Sequence, residues 1–149
     1  MDCPICREPL IVAERQSIEL DVCPWCHGLW FDVGELELLA GKLGRSLELG
    51  ETAFEPTATE EKARRCPRCD RAMDKVLVGV SGRLMLDRCA AHGFWFDHGE
   101  LGALMRQLTP TPGSHPDAAL AFMGEVIEAP AATAGAQPST ERRAGEVER

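Results

Sequence analysis

Cys3-Pro4-Ile5-Cys6, Cys23-Pro24-Trp25-Cys26, Cys66-Pro67-Arg68-Cys69 and Cys89-Ala90-Ala91-His92 are the four strings that decide the fold. Sixteen residues separate the first pair of strings and nineteen the second. Such spacings suit zinc ribbons, in which two Cys-x2-Cys turns carried by a hairpin close one tetrahedral shell. Proline suits these tight turns, because its φ is fixed and it brings no backbone donor. The ligand sets are Cys3, Cys6, Cys23 and Cys26 for one ion, and Cys66, Cys69, Cys89 and His92 for the other. The chain is therefore expected to hold two Zn²⁺. With four protein ligands each, both ions are structural and no catalytic residue is expected.

The eighth ligand is open at this level. Counted from Cys89, His92 takes the place of Cys26. Counted from the tryptophan that follows, His92 aligns with His27, because Cys89 to Trp95 is one residue shorter than Cys23 to Trp30. His98 is the alternative ligand. His27 reads as exposed or as a neighbour of the ligand shell, and His115 as solvent-facing.

Two nearly identical strings lie just beyond these ligands: Gly28-Leu29-Trp30-Phe31-Asp32-Val33-Gly34-Glu35-Leu36 and Gly93-Phe94-Trp95-Phe96-Asp97-His98-Gly99-Glu100-Leu101. Trp30 and Trp95 are 65 positions apart. A tandem duplication follows, which governs the rest of the reading. Residues 1–44 form ribbon one, 45–63 a linker, 64–109 ribbon two, and 110–149 a tail too poor in apolar residues to order itself. The tail holds one amphipathic island over 115–128, with Ala119, Phe122, Met123, Val126 and Ile127 on one stripe. This island reads as a helix packing back on a ribbon, a partner-binding helix, or disordered chain.

Each ribbon is expected to be a short antiparallel sheet followed by a short helix, a small metal-stabilised α+β fold with a flexible C-terminal tail. Ile18, Leu20 and Val22 alternate with polar residues, and Leu10-Ile11-Val12 can pair with them. Val76, Val78 and Val80 alternate, Ser81-Gly82 turns, and Leu84 and Leu86 return. Leu36, Leu39, Ala40 and Leu43 have helical spacing, as do Leu101, Leu104, Met105 and Leu108. Asp32-x-x-Glu35 and Asp97-x-x-Glu100 read as capping boxes with Asp as N-cap. Gly41 or Gly44 ends the first helix and Thr109-Pro110 the second. Trp30 and Trp95 read as core, and Gly34 and Gly99 as turn or close-packing residues. About 45 residues per ribbon is near the ~40-residue size below which a metal is usually required. Zinc is then the main stabiliser, since its binding supplies on the order of 10–16 kcal/mol to folding.

Charge and composition set the classes that remain. The chain of 149 residues carries 16 Lys+Arg against 24 Asp+Glu. A net charge of −8 argues against a non-specific nucleic-acid coat protein or an anchor on an anionic membrane. No apolar run approaches the ~20 residues of a membrane span, and no secretory signal is expected from the first residues. Seven cysteines, an odd number, favour metal-held thiols in a reducing cytosol over a disulfide framework. Residues 1–52 hold 4 basic and 10 acidic side chains, whereas 60–110 hold 9 basic and 7 acidic. The cations cluster at the third string: Lys62, Arg64, Arg65, Arg68 and Arg71. They are candidate contacts for phosphate or an acidic partner. Trp25, between two ligands on a turn tip, is the candidate apolar contact for a partner protein.

The pattern Cys-Pro-x-Cys, hairpin, Cys-Pro-x-Cys-x-Gly-x-Trp-Phe-Asp-x-Gly-Glu-Leu resembles the bacterial transcription-factor zinc-finger family, the TFIIB-type zinc ribbons. Ribbon one carries all of it: Cys3, Cys6, Cys23, Cys26, Gly28, Trp30, Asp32, Gly34, Glu35 and Leu36. Ribbon two departs at His92 and in the residue missing before Gly93, and otherwise matches at Cys66, Cys69, Cys89, Gly93, Trp95, Asp97, Gly99, Glu100 and Leu101. The resemblance implies zinc binding and a link to transcription. The expected function is a zinc-binding, non-enzymatic regulatory or adaptor protein of the cytoplasm, working through an unidentified protein partner and without a small-molecule substrate. A nucleic-acid-binding module with weak affinity is the alternative, and a thiol redox or zinc sensor the third reading.

Overall fold

The computed structural model describes residues 1–15, 17–47, 54–79 and 84–113. The turn at Val80, Ser81 and Gly82, the helix expected over 115–128 and His115 lie outside the described residues.

Alternation makes the first hairpin. β1 (Ile11–Arg15) pairs antiparallel with β2 (Ile18–Val22), Ile11 opposite Val22 and Ala13 opposite Leu20. The equivalent hairpin of ribbon two pairs β5 (Asp74–Val78) with β6 (Leu84–Cys89), Val76 opposite Leu86. The Trp-Phe strings are strands as well: β3 (Leu29–Asp32) and β7 (Gly93–Phe96). Each ribbon then ends in a two-turn helix, α1 (Glu35–Lys42) and α2 (Glu100–Gln107). Two short strands follow the helices, β4 (Arg45–Ser46) and β8 (Thr109–Pro110).

The ribbons share one sheet. Its strand order is β1-β2-β3-β7-β6-β5, and the seam is the antiparallel pair β3–β7, in which Trp30 faces Trp95. A second, two-stranded sheet pairs β4 with β8, Arg45 opposite Pro110. Both pairings set a residue against its own counterpart 65 positions on, as a two-fold axis through the middle of the chain requires. The seam admits no side chain at its ends. A Cβ on Gly28 would lie 2.9 Å from two further atoms of the Trp95 indole it overlaps. One on Gly93 would overlap the Phe31 carbonyl oxygen and lie 2.9 Å from its carbon.

Strand period then sorts the residues between two faces. Leu29, Phe31, Phe94 and Phe96 point to the helices, where Leu36, Leu39, Ala40, Leu43, Leu101, Leu104, Met105 and Leu108 complete one core. Phe31 and Phe96 meet edge to face, centroids 5.3 Å apart. Trp30 and Trp95 point the other way and pack, fully buried, with Cys3, Cys23, Cys66, Met73 and Cys89. The sheet thus separates an apolar layer from a layer that carries the metal ligands.

Half of each expected capping box forms. The Asp32 N–H donates to Glu35 Oε2 at 2.8 Å, and the Asp97 N–H to Glu100 Oε2 at 2.7 Å. The aspartate half does not. The N-caps are Gly34 and Gly99, at φ 90° and 87°, and no side chain caps either helix. The left-handed turn at each glycine carries the aspartate away from the helix end, so its carboxylate is spent elsewhere. Trp30 Nε1 donates to Asp32 Oδ1 at 2.8 Å and Trp95 Nε1 to Asp97 Oδ1 at 3.0 Å. Since no neighbour lies within 4 Å of a Cβ placed on Gly34 or Gly99, these are turn glycines. Gly41 lies inside α1, and Gly44, at φ 62°, follows its end. No described helix is long and apolar enough to cross a membrane.

Candidate metal centres

Each knuckle is built by the backbone before any metal is considered. In the first, Cys3 N–H donates to Glu8 O and Arg7 N–H returns to Cys3 O, with Arg7 at φ 64°. Cys23, Cys66 and their turns repeat the pattern, with His27 and Asp70 in the same left-handed conformation. The turn aims N–H groups at sulfur: Ile5 and Cys6 at Cys3 Sγ, Cys26 at Cys23 Sγ, and Arg68 at Cys66 Sγ, all between 3.3 and 3.5 Å. Such donors favour thiolate over thiol.

The ligand atoms of Cys3, Cys6, Cys23 and Cys26 lie within 4.8 Å of one another, and so do those of Cys66, Cys69, Cys89 and His92. Zn–S bonds of about 2.3 Å in a tetrahedron put sulfurs about 3.8 Å apart. Cys3 and Cys26 sulfurs are 3.6 Å apart, Cys69 and Cys89 sulfurs 3.9 Å, and no cysteine is in a disulfide. His92 Nδ1 stands 3.3 Å from Cys89 Sγ and 3.8 Å from Cys66 Sγ. The donors therefore fit zinc, whose binding would close each shell and tie the knuckles of a ribbon together.

Electrostatics agree. Burial pushes the Cys26 thiol far up, and pushes Cys66 up to about 11. Burial also opposes the Cys23 thiolate, yet the N–H groups of Cys26 and Trp25 bring it below the ordinary thiol range. Cys69 is lowered to about 6, first by the Arg71 guanidinium, which donates to its sulfur at 3.5 Å. Four clustered thiols cannot all ionise without a cation among them, and Zn²⁺ supplies that charge.

His98 is placed elsewhere. Its ring meets His27 across the two ribbons at 5.6 Å between centroids, outside the second ligand group. Sequence spacing offered His98 as the alternative ligand and read His27 as exposed or beside the ligand shell, and it gave no sign that the two rings meet.

The cations near the third knuckle are largely engaged. Arg64 makes a bidentate pair with Asp97, at 2.6 and 2.9 Å, and reaches Asp87 at 3.1 Å. Arg68 crosses the seam to grip Asp32 of ribbon one through Nε, at 2.5 Å, and Nη2. Arg65 pairs with Asp70, and Lys75 lies between Glu61 and Asp87. Burial raises Asp87, only 2% exposed, against the pull of Lys75. Although burial also opposes Asp97, Arg64 brings that carboxyl below the usual range. Arg7 and Lys62, which have no ion-pair partner among the described residues, line a cleft of about 810 Å³ with Glu61 and Asp97. Trp25 is 67% exposed and Ile5, on the neighbouring knuckle tip, 44%.

Residues 2–41 match the transcription factor zinc-finger family. That stretch holds all four ligands of the first centre, β1 to β3 and nearly all of α1. Over those residues the chain is thus similar to a TFIIB-type zinc ribbon, and both of its ligand groups are suited to hold zinc. No curated protein and no solved structure matches the chain.

Proposed function

We propose that the protein is a non-enzymatic adaptor of the cytoplasm, linked to transcription, that holds a partner protein on the knuckle tips of ribbon one. In this reading residues 64–109 are a diverged second copy of the same TFIIB-type ribbon. Repetition of the indole–aspartate bond and of the glycine N-cap in both ribbons supports it.

The observation that carries the proposal is a difference between the copies. Among the described residues every exposed large apolar side chain lies between Met1 and Leu38. At the tips, Ile5 corresponds to Arg68 of ribbon two and Trp25 to Ala91. Ribbon two thus serves as an internal control. Arg68 is taken up by its pair with Asp32 across the seam, whereas the exposed Ile5 and Trp25 side chains meet no demand of metal or sheet and are left to face something outside the fold. An exposed tryptophan beside a second apolar tip is the composition of an interface anchor.

The test compares the wild-type chain with Trp25→Ala and with Arg7→Ala/Lys62→Ala, using immobilised protein, cell extract and nuclease. A partner that survives nuclease and the double alanine change but is lost with Trp25→Ala supports the proposal. A partner lost on nuclease treatment, or binding of labelled duplex that vanishes with Arg7 and Lys62, would instead establish the nucleic-acid reading.

A further inference from the structure

The seam register can be followed past both of its ends. Leu29 faces Phe96 at one end, and two positions farther out stand His27 and His98. Asp32 faces Gly93 at the other, and one position farther out Val33 N–H donates to His92 O at 3.0 Å. The 65-position repeat exchanges the two ends, His27 with His92 and Val33 with His98. At the His92 end the imidazole belongs to the second ligand group, and the residue opposite is valine. At the His27 end Cys26 already completes the first group, so this imidazole is spare. A second imidazole, that of His98, takes the place of the valine. Two departures from the repeat thus meet at one point.

The rings lie 5.6 Å apart between centroids, with 60° between their planes. Two imidazoles bound at about 2.0–2.1 Å to one tetrahedral ion hold their centroids roughly 5 Å apart. Small side-chain rotations therefore bring a nitrogen of each ring onto a common ion. Neither ring has a hydrogen-bond or ion-pair partner among the described residues. Both backbones are set in advance. His27, at φ 58°, donates its N–H to Cys23 O at 3.0 Å within the knuckle, and His98 is followed by the left-handed N-cap glycine of α2. His98 is exposed and His27 half-buried, so an ion can arrive from solvent.

From the register, the ring spacing and the unengaged nitrogens, we infer that His27 and His98 form a third metal site, which takes an exchangeable Zn²⁺ across the seam. Neutral imidazole suits zinc, and water fills the remaining positions. With two protein ligands in place of four, this ion is held far more weakly than the two within the knuckles and exchanges while they stay. Because one ligand comes from each ribbon, the ion binds only the joined state and stabilises it. The inference is independent of the knuckle-tip partner, since its test needs no partner.

Equilibrium dialysis of the full-length, zinc-loaded chain against graded free Zn²⁺ tests it. The wild type should take up a third ion and return to two per chain in zinc-free buffer. His27→Asn, which keeps a residue suited to positive φ, and His98→Ala, on an exposed side chain, should each weaken the third ion by about 100-fold or more while retaining the other two. His115→Ala should bind all three as the wild type does. The wild-type melting temperature should also rise with free zinc beyond two per chain, and that of the two seam variants should not. Absence of a third ion overturns the inference. So does a third ion that survives either seam substitution, or one that is lost with His115→Ala.

Discussion

Gly93→Ala tests the seam between the ribbons, and Gly99→Ala supplies its reference. Both glycines have positive φ, at 144° and 87°, so alanine at either carries a backbone penalty of about 1–3 kcal/mol. Only Gly93 adds a steric term, because its Cβ would overlap the Phe31 carbonyl oxygen, whereas nothing lies within 4 Å of a Cβ on Gly99. The obstacle at Gly93 is backbone in the central strand pair, which cannot rotate aside. Forcing one methyl into such a contact costs roughly 1–3 kcal/mol more, through displacement of β3 from β7. At roughly 4–8 °C per kcal/mol for a domain of this size, Gly93→Ala should melt about 4–24 °C below Gly99→Ala. Melting is followed by circular dichroism in a fixed excess of zinc, because metal binding is coupled to folding. Zinc content should stay at two per chain in both variants. Equal melting temperatures would refute the seam as a source of stability.

Other outcomes follow from the same geometry. His92→Ala should leave one zinc per chain by elemental analysis and His98→Ala two; the opposite result moves the fourth ligand to His98. Chelation of zinc should abolish the near-ultraviolet signal of Trp30 and Trp95, which pack against the ligands, and a retained signal would mean that packing alone holds that layer. Arg64→Ala strands the buried Asp87 with Lys75 alone and should cost about 2–4 kcal/mol in urea unfolding. Arg68→Ala breaks a half-exposed pair with Asp32 and should cost below about 1 kcal/mol, so a reversed ranking in the same assay contradicts the burial argument.

The parts legible in the sequence are those encoded over short distances. Cysteine spacing located both ligand groups, since a knuckle is a local turn and a hairpin joins each pair. Helical spacing picked out Leu36, Leu39, Ala40 and Leu43, all of them buried. What escaped was β3 and β7. A strand buried on both faces does not alternate, and Leu29-Trp30-Phe31 offers no period to read. Its partner lies 65 positions away, beyond any local signal. The clue was the duplicated glycine before each tryptophan, because a missing Cβ marks close approach of another segment. The Asp-x-x-Glu strings misled for a different reason. A capping box and an aspartate that receives an indole N–H share one pattern, and only the φ of the intervening glycine separates them.

Antiparallel pairing of β3 with β7 also bears on how such a ribbon could exist alone. Each copy would end in an open strand whose natural complement is its own twin, and separate chains would have to meet by diffusion to form that pair. Here the twins belong to one chain, so their pairing is intramolecular whatever the protein's abundance. Association becomes a property of the single chain, insensitive to dilution. The halves are also released from the identity that a symmetric pair of separate chains imposes. Arg68 can reach from one half to Asp32 in the other while Ile5, its counterpart, stays apolar. One half is free to stabilise the union, and the other to face outward.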